Sequence, residues 1–175
     1  LEIKNLKTII DNLISKIDNE NKELIKKLFY NAIYLHDLGK INPSFQANKM
    51  KNKLFDKTSQ SSNHSEISVY EYRKIFLEEI EKIEDDDTFY KLNFIFHCFM
   101  YHISKHHGKL NSIENFMCED KSFEDIKNNP CSFITHSFEF YILNKLLFSL
   151  LVSSDYYATT EYMADSPTKD FGLIK

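Results

Sequence analysis

His36-Asp37-Leu38-Gly39-Lys40 sets an imidazole beside a carboxylate, and that pair can hold metal ions. Neighbouring helical residues point about 100° apart, so both side chains can lean into one pocket from two directions. A carboxylate has two oxygens and can bridge two ions, whereas an imidazole binds only one. Followed by Gly39 and Lys40, the pair is a seed for a two-metal phosphoesterase site. A His-Asp dipeptide also arises readily by chance, so the rest of the chain has to decide.

His64, the pair His106-His107 and Asp155 join His36 and Asp37 at the ends or starts of expected helices. Helix ends in a bundle can converge at one mouth. Imidazoles with carboxylates suit Mn, Fe, Co, Ni or Zn better than Mg or Ca, which prefer all-oxygen shells. The alternative for each histidine is a helix C-terminus, where a cation meets the negative end of the dipole. Asp155 sits in the apolar context of Leu146 to Tyr157 and needs either a metal or a charge partner. His102 precedes His106 by four residues, the spacing of a zinc pair or of a packed helix face. His97, among Phe94, Phe96, Phe99 and Met100, reads as a hydrogen-bonded core residue, and His136 as exposed. Lys49, Lys51, Lys53 and Lys57 form either a patch for a phosphate backbone or a solvated polar loop.

The elements that must position these groups read as helices throughout. Three glycines and three prolines in 175 residues argue against a turn-dense β-fold, and aromatics at 14 % supply ample surface for one core. Ile3, Leu6, Ile9, Ile10, Leu13, Ile14 and Ile17 make one stripe, which the polar run Asp18 to Asn21 ends. A second helix carries Leu24, Ile25, Leu28, Phe29, Ala32 and Ile33 inward and stops at Gly39 as C′ residue, with His36 and Asp37 in its last turn. Asn42-Pro43 reads as an N-cap with Pro at N1, and residues 51–63 as a polar loop. A long helix from His64 to Glu84 buries Ile67, Tyr70, Ile75, Phe76 and Ile80. Asp85 to Thr88 cap the next, which runs to about Lys105 and closes at Gly108. Residues 109–134 read as irregular, with at most a short helix near 113–116. The most apolar helix, from Thr135 to Ala158, is expected at the centre of the bundle.

The net charge of −4 excludes a generic basic nucleic-acid binder, though not a nuclease whose bound cations reverse the local charge. Cys98, Cys118 and Cys131 are odd in number and form no Cys-x-x-Cys pair, which fits a reducing cytosol. No signal peptide is read at the N-terminus, and Tyr141 to Val152 is too short to span a membrane. The expectation is a soluble cytoplasmic protein.

The run from His36 to Gln46, His-Asp-Leu-Gly-Lys-Ile-Asn-Pro-Ser-Phe-Gln, resembles the signature of the HD nuclease domain of the type I CRISPR-associated helicase–nuclease. His64-Ser65-Glu66-Ile67-Ser68, His106-His107-Gly108 and Ser154-Asp155-Tyr156-Tyr157-Ala158-Thr159 follow in that family's order. The resemblance implies a compact all-α HD bundle over residues 1–158, with 159–175 as a tail or linker toward a helicase domain. It implies up to two divalent transition-metal ions (Mn, Co, Ni or Fe) bridged by Asp37. His36 and Asp155 would hold the first, and His64, His106 and His107 the second. Lys40 would meet the scissile phosphate or leaving oxygen as a fixed positive charge. The implied activity is cleavage of single-stranded DNA in CRISPR interference, with a helicase domain or subunit and the surveillance complex as partners. One departure is that the family supplies a further first-helix histidine to the first metal, and Leu1 to Leu35 contain none. Either it lies upstream of Leu1 or that site is incomplete, and the chain is a stand-alone subunit or an excised domain. An HD phosphohydrolase of nucleotides or cyclic nucleotides, and a degenerate HD docking module, are the alternatives.

Overall fold

The apolar stripe at the start of the chain folds as α1 (Glu2–Ile17), which buries Ile10, Ile14 and Ile17 and leaves Ile9 half exposed. This computed structural model describes residues 2–59, 61–108 and 136–164. Asp18 ends α1. Its carboxylate accepts the backbone amides of Glu20 and Asn21 and pairs with Lys91, so the turn is tied to a helix far along the chain. Helix α2 (Lys22–Leu35) returns with Ile25, Leu28, Phe29 and Ala32 buried.

Helix α2 stops at Leu35, earlier than the sequence suggests. His36 is its C-cap, and Asp37 opens a 3-10 turn over Leu38–Ile41. Gly39 is therefore not a left-handed helix terminator. It lies inside the turn, where a Cβ would stand 2.0 Å from the carbonyl oxygen of His64. Its amide donates to Ser68 Oγ at 2.9 Å. Glycine is needed there because backbone meets backbone. Asn42 then caps α3 (Pro43–Asn48) by accepting from Ser44 N at 2.8 Å, as the Asn-Pro pair predicts.

Helix α4 (His64–Glu81) ends earlier than Glu84, and its buried seam is Ser65, Ser68, Tyr72, Phe76 and Ile80. Tyr70 and Ile75, expected inside, are 64 % and 51 % exposed. The reason is local. Two small serines at the start let the 3-10 turn come close, and that fixes which face turns inward. Tyr72 satisfies its buried hydroxyl on the carbonyl of Leu28 at 2.9 Å.

Asp85 caps α5 (Asp86–Lys105) through Thr88 N. This helix, not the last, is the centre of the bundle. It buries every residue from Leu92 to Ile103 except the half-buried Phe94, and it packs on α2, α4 and the final helix, α6 (Phe138–Ala164). Helix α6 lies across α1 and α5 with Phe140, Leu143, Leu147 and Leu151 inward, while Phe138, Tyr141 and Tyr156 face solvent. It continues to Ala164, so the segment expected as a tail from Thr159 starts in helix. Residues 109–135, with Cys118 and Cys131, and residues 165–175 lie outside the described residues. Among the described residues no strand occurs, and no helix is long and apolar enough to cross a membrane.

The Gly39 contact predicts the outcome of one methyl group. In Gly39→Ala the 3-10 turn has to withdraw from α4, and overpacking of this kind costs about 1–3 kcal/mol. Urea unfolding should show a lower midpoint with unchanged slope. An unshifted midpoint would show that the contact is slack.

Candidate metal centre

His36 and His106 cap α2 and α5, and they use the same device. Each keeps a helical backbone, and each Nδ1 lies against the carbonyl three residues back, Ile33 O at 2.7 Å and Ile103 O at 2.6 Å. A carbonyl can only accept, so Nδ1 carries the proton in both rings. In the neutral ring Nε2 then presents a lone pair, and both Nε2 atoms point at Asp37. His36 Nε2 is 3.4 Å from Asp37 Oδ2, and His106 Nε2 is 3.4 Å from Asp37 Oδ1. His64, at the first position of α4, places its Nε2 3.4 Å from the same Oδ1.

His36 Nε2, His106 Nε2 and Asp37 Oδ1 are buried without a hydrogen-bond partner among the described residues. Leaving such groups unmatched is expensive, and lone pairs facing a carboxylate are satisfied by a cation between them. The ligand atoms of Asp37, His64, His106 and His107 lie within 4.8 Å of one another. Two donors about 2.1 Å from one ion stand at most about 4.2 Å apart, so small inward shifts suffice. The donor set fits a divalent transition metal.

His107 completes the group from the solvent side. Its Nε2 lies 2.8 Å from His64 Nε2, and its Nδ1 lies 3.4 Å from Asp155 Oδ2. Its side chain is 39 % exposed while that of His106 is fully buried, so the site opens at His107. Lys40 donates to Asp37 Oδ2 at 2.8 Å and to Asp155 Oδ1 at 2.7 Å. The structure thus brings Asp37, His64, His106 and His107 to one point and sets His36 on the other oxygen of Asp37. Asp155 meets the group through Lys40 and His107.

Burial raises the Asp37 pKa, but the Lys40 ammonium hydrogen-bonded to Oδ2 helps to bring it well below the usual carboxylate range. The carboxylate is therefore ionised at any working pH. Burial opposes the charge on Lys40, yet Asp155 and Asp37 outweigh it and raise its pKa. Burial lowers His36 and His107, which favours the ligating neutral ring.

The residues that follow the His-Asp pair buttress it. Phe45 sets its ring 4.8 Å from that of His64, and Gln46 Nε2 holds the Lys40 carbonyl at 2.7 Å. The sequence shows Phe45 only as part of the signature and gives no role to Ser68, whose hydroxyl holds Gly39. The paired serines three apart on α4 were the available signal. Lys49 lines a cavity beside His64 and His107, whereas Lys51 and Lys53 are exposed and stand off its walls.

A family model for the Cas3, HD domain matches residues 3–141. The chain belongs to the Cas3 HD-domain family. This makes it a member of the CRISPR-associated HD nucleases, whose domains bind divalent metal ions. The match takes in every histidine of the centre and ends before Asp155. No curated protein and no solved structure matches the chain.

His97 and His102 have structural partners. His97 Nδ1 lies 2.7 Å from the carbonyl of Asn93, as expected of a core residue, and His136 is exposed. His102 does not join His106. Its Nε2 lies 2.9 Å from Asn144 Oδ1, and burial lowers its pKa from 6.5 to about 4 against the opposing effect of Asn144. The unfolded chain therefore binds a proton that the native state refuses between those values. Stability from this residue is complete above about pH 6.5 and falls as pH drops toward 4, by on the order of 3 kcal/mol. His102→Gln should flatten the acid limb of the stability curve. Identical slopes for the two proteins between pH 6.5 and 4 would assign that limb to other groups.

Proposed function

We propose that this chain is a metal-dependent phosphodiesterase that cleaves single-stranded DNA during CRISPR interference, with a helicase domain or subunit feeding the strand. The observation that carries the reading is the position of Asp37. One oxygen faces His64 and His106, and the other faces His36 and Lys40. A carboxylate so placed suits a bridging role between two ligand sets.

On this reading Asp37, His64, His106 and His107 hold one ion. His36, Asp37 and Asp155 hold a second only when Lys40 leaves the gap between the two carboxylates. A divalent ion bound there supplies Lewis acidity toward a phosphodiester and lowers the pKa of water. The protein residues do the positioning. Ile33 O and Ile103 O fix the rings of His36 and His106, Asp155 orients His107, and Lys40 can offer its positive charge to a phosphate or leaving oxygen only once it is released from Asp37 and Asp155. Residues 1–158 form the nuclease domain, and 159–175 lead toward the helicase. The surveillance complex that opens the target is the partner beyond it, and the expected compartment is the cytoplasm.

Titrated with Mn(II), the chain should take up one ion tightly and a second weakly, because Lys40 already neutralises Asp37 and Asp155. Asp37→Ala should lose affinity by more than about 100-fold, beyond the loss of a supporting hydrogen bond. It should cleave nothing and keep its helical circular dichroism. A folded Asp37→Ala protein that still cuts DNA would remove the basis of the assignment.

The centre is recessed at helix ends, and no helix lined with Arg or Lys faces outward to read a duplex groove among the described residues. A single strand can bend its phosphate into such a recess, whereas a stiff duplex cannot. One oligonucleotide, digested single-stranded and annealed in Mn, Co, Ni, Mg and Zn, should be cut only as the single strand, with rates that fall as salt rises. Equal rates on blunt duplex would refute the substrate and remove the need for a helicase.

A further inference from the structure

Beside the metal centre, on the side of His64 and His107, lies a cavity of about 570 Å³. It falls within the ~300–1,000 Å³ of small-ligand sites. Phe45, His64 and His107 give it aromatic walls, and Lys49, Ser61 and Ser62 give it a cation and hydroxyl groups. Lys40 and Asp155 stand on the other side, against Asp37 Oδ2 and His107 Nδ1. The metal centre thus has two unlike flanks, one closed by an ion pair and one open into a hollow. Phe45 is nearly covered, and its ring holds that of His64 edge-on, so its part is to shape the wall.

We propose that this cavity is a subsite for one unstacked nucleotide of the strand, the one flanking the scissile phosphate on the His64/His107 side. Lys49 contacts its phosphate, and the Ser61–Ser62 segment contacts its sugar or base edge. Three features of the site lead there. The cavity adjoins the ligating rings, so a nucleotide in it leaves the next phosphate at the metal centre. Its mixture of ring faces, hydroxyls and one ammonium group matches a base, a sugar and a phosphate taken together. It holds one splayed nucleotide but no base pair within its stack, so the hollow itself discriminates against duplex. Of the four lysines weighed for nucleic-acid contact, this assigns the role to Lys49 and withholds it from Lys51, Lys53 and Lys57.

The inference rests on the nuclease reading, and binding measurements separate the two. A fluorescein-labelled twelve-residue oligothymidylate is titrated by anisotropy into the Mn-loaded chain, and Mn content and cleavage are measured in parallel. Lys49→Ala should weaken binding and raise KM roughly tenfold, the loss of one charge-assisted contact, and lower the salt slope by about one. Ser62→Trp, which fills the hollow, should weaken binding at least as much. In both variants Mn content and kcat stay unchanged, and Lys53→Ala behaves as the unaltered chain. Thymidine 5′-monophosphate offers the same base, sugar and phosphate and should compete only weakly. Oligonucleotide affinity in Lys49→Ala and Ser62→Trp equal to that of the unaltered chain, or no measurable affinity in the unaltered chain, overturns the subsite. Monophosphate that binds as tightly as the strand overturns it in favour of a free nucleotide. Strand binding that depends on Lys49 in a Mn-loaded chain that cuts no DNA would instead sink the nuclease reading and leave the subsite standing.

Discussion

A backbone amide reaches a buried serine hydroxyl beneath another helix only if no side chain stands between them. Gly39 meets that condition: its amide is 2.9 Å from Ser68 Oγ, and its α-carbon presses on the backbone of His64. The contact locks the turn after α2 onto the start of α4. It therefore sets how far Asp37 stands from His64. The centre draws its ligands from three separate segments, and their separations are fixed by this approach and by the packing of α4 on α5. A larger residue at position 39 would push on the backbone of His64 and alter the ligand geometry without replacing a ligand.

A second constraint is electrostatic. The last carbonyls of a helix lack helical partners, and near the C-termini of α2 and α5 the Ile33 and Ile103 carbonyls each accept a hydrogen bond from the Nδ1–H of the capping histidine. One bond thus satisfies a helix end and fixes which nitrogen of the ring is left to bind. The arrangement explains why a histidine, and not a lysine, suits both positions. A lysine would satisfy the carbonyl but present no lone pair to Asp37.

Much of this was legible in the residues, and the remainder failed for identifiable reasons. Asn42 and Asp85 cap the helices expected of them, because a cap depends on three or four neighbouring residues. The His-Asp pair, His64 and His106-His107 come together as their order suggested. The face of α4 could not be read, since Tyr70 and Ile75 are as apolar as Tyr72 and Phe76. What decides is the approach of the 3-10 turn, a long-range fact written only as two serines and a glycine. Hydrophobicity also misplaced the centre of the bundle. Helix α6 is the more apolar, but α5 has neighbours on three sides and α6 keeps large apolar residues exposed. The pairing of Lys40 with Asp155, 115 positions apart, has no local signature at all.

That pairing bears on how an acidic chain could handle a polyanion. With a net charge of −4, the molecule as a whole repels a phosphate backbone. Attraction has to be local, and within the centre Lys40 has already spent its charge on Asp37 and Asp155. A strand phosphate that approaches from that flank meets a neutralised cluster. From the His64/His107 flank it meets Lys49 and the mouth of the site instead. On the proposed reading, then, the strand is recruited poorly from solution and positioned well once it arrives. Such a division of labour would favour delivery of the strand by another domain. On that proposal a helicase domain or subunit would supply what the acidic surface withholds, a high local concentration of single strand at the open flank of the site.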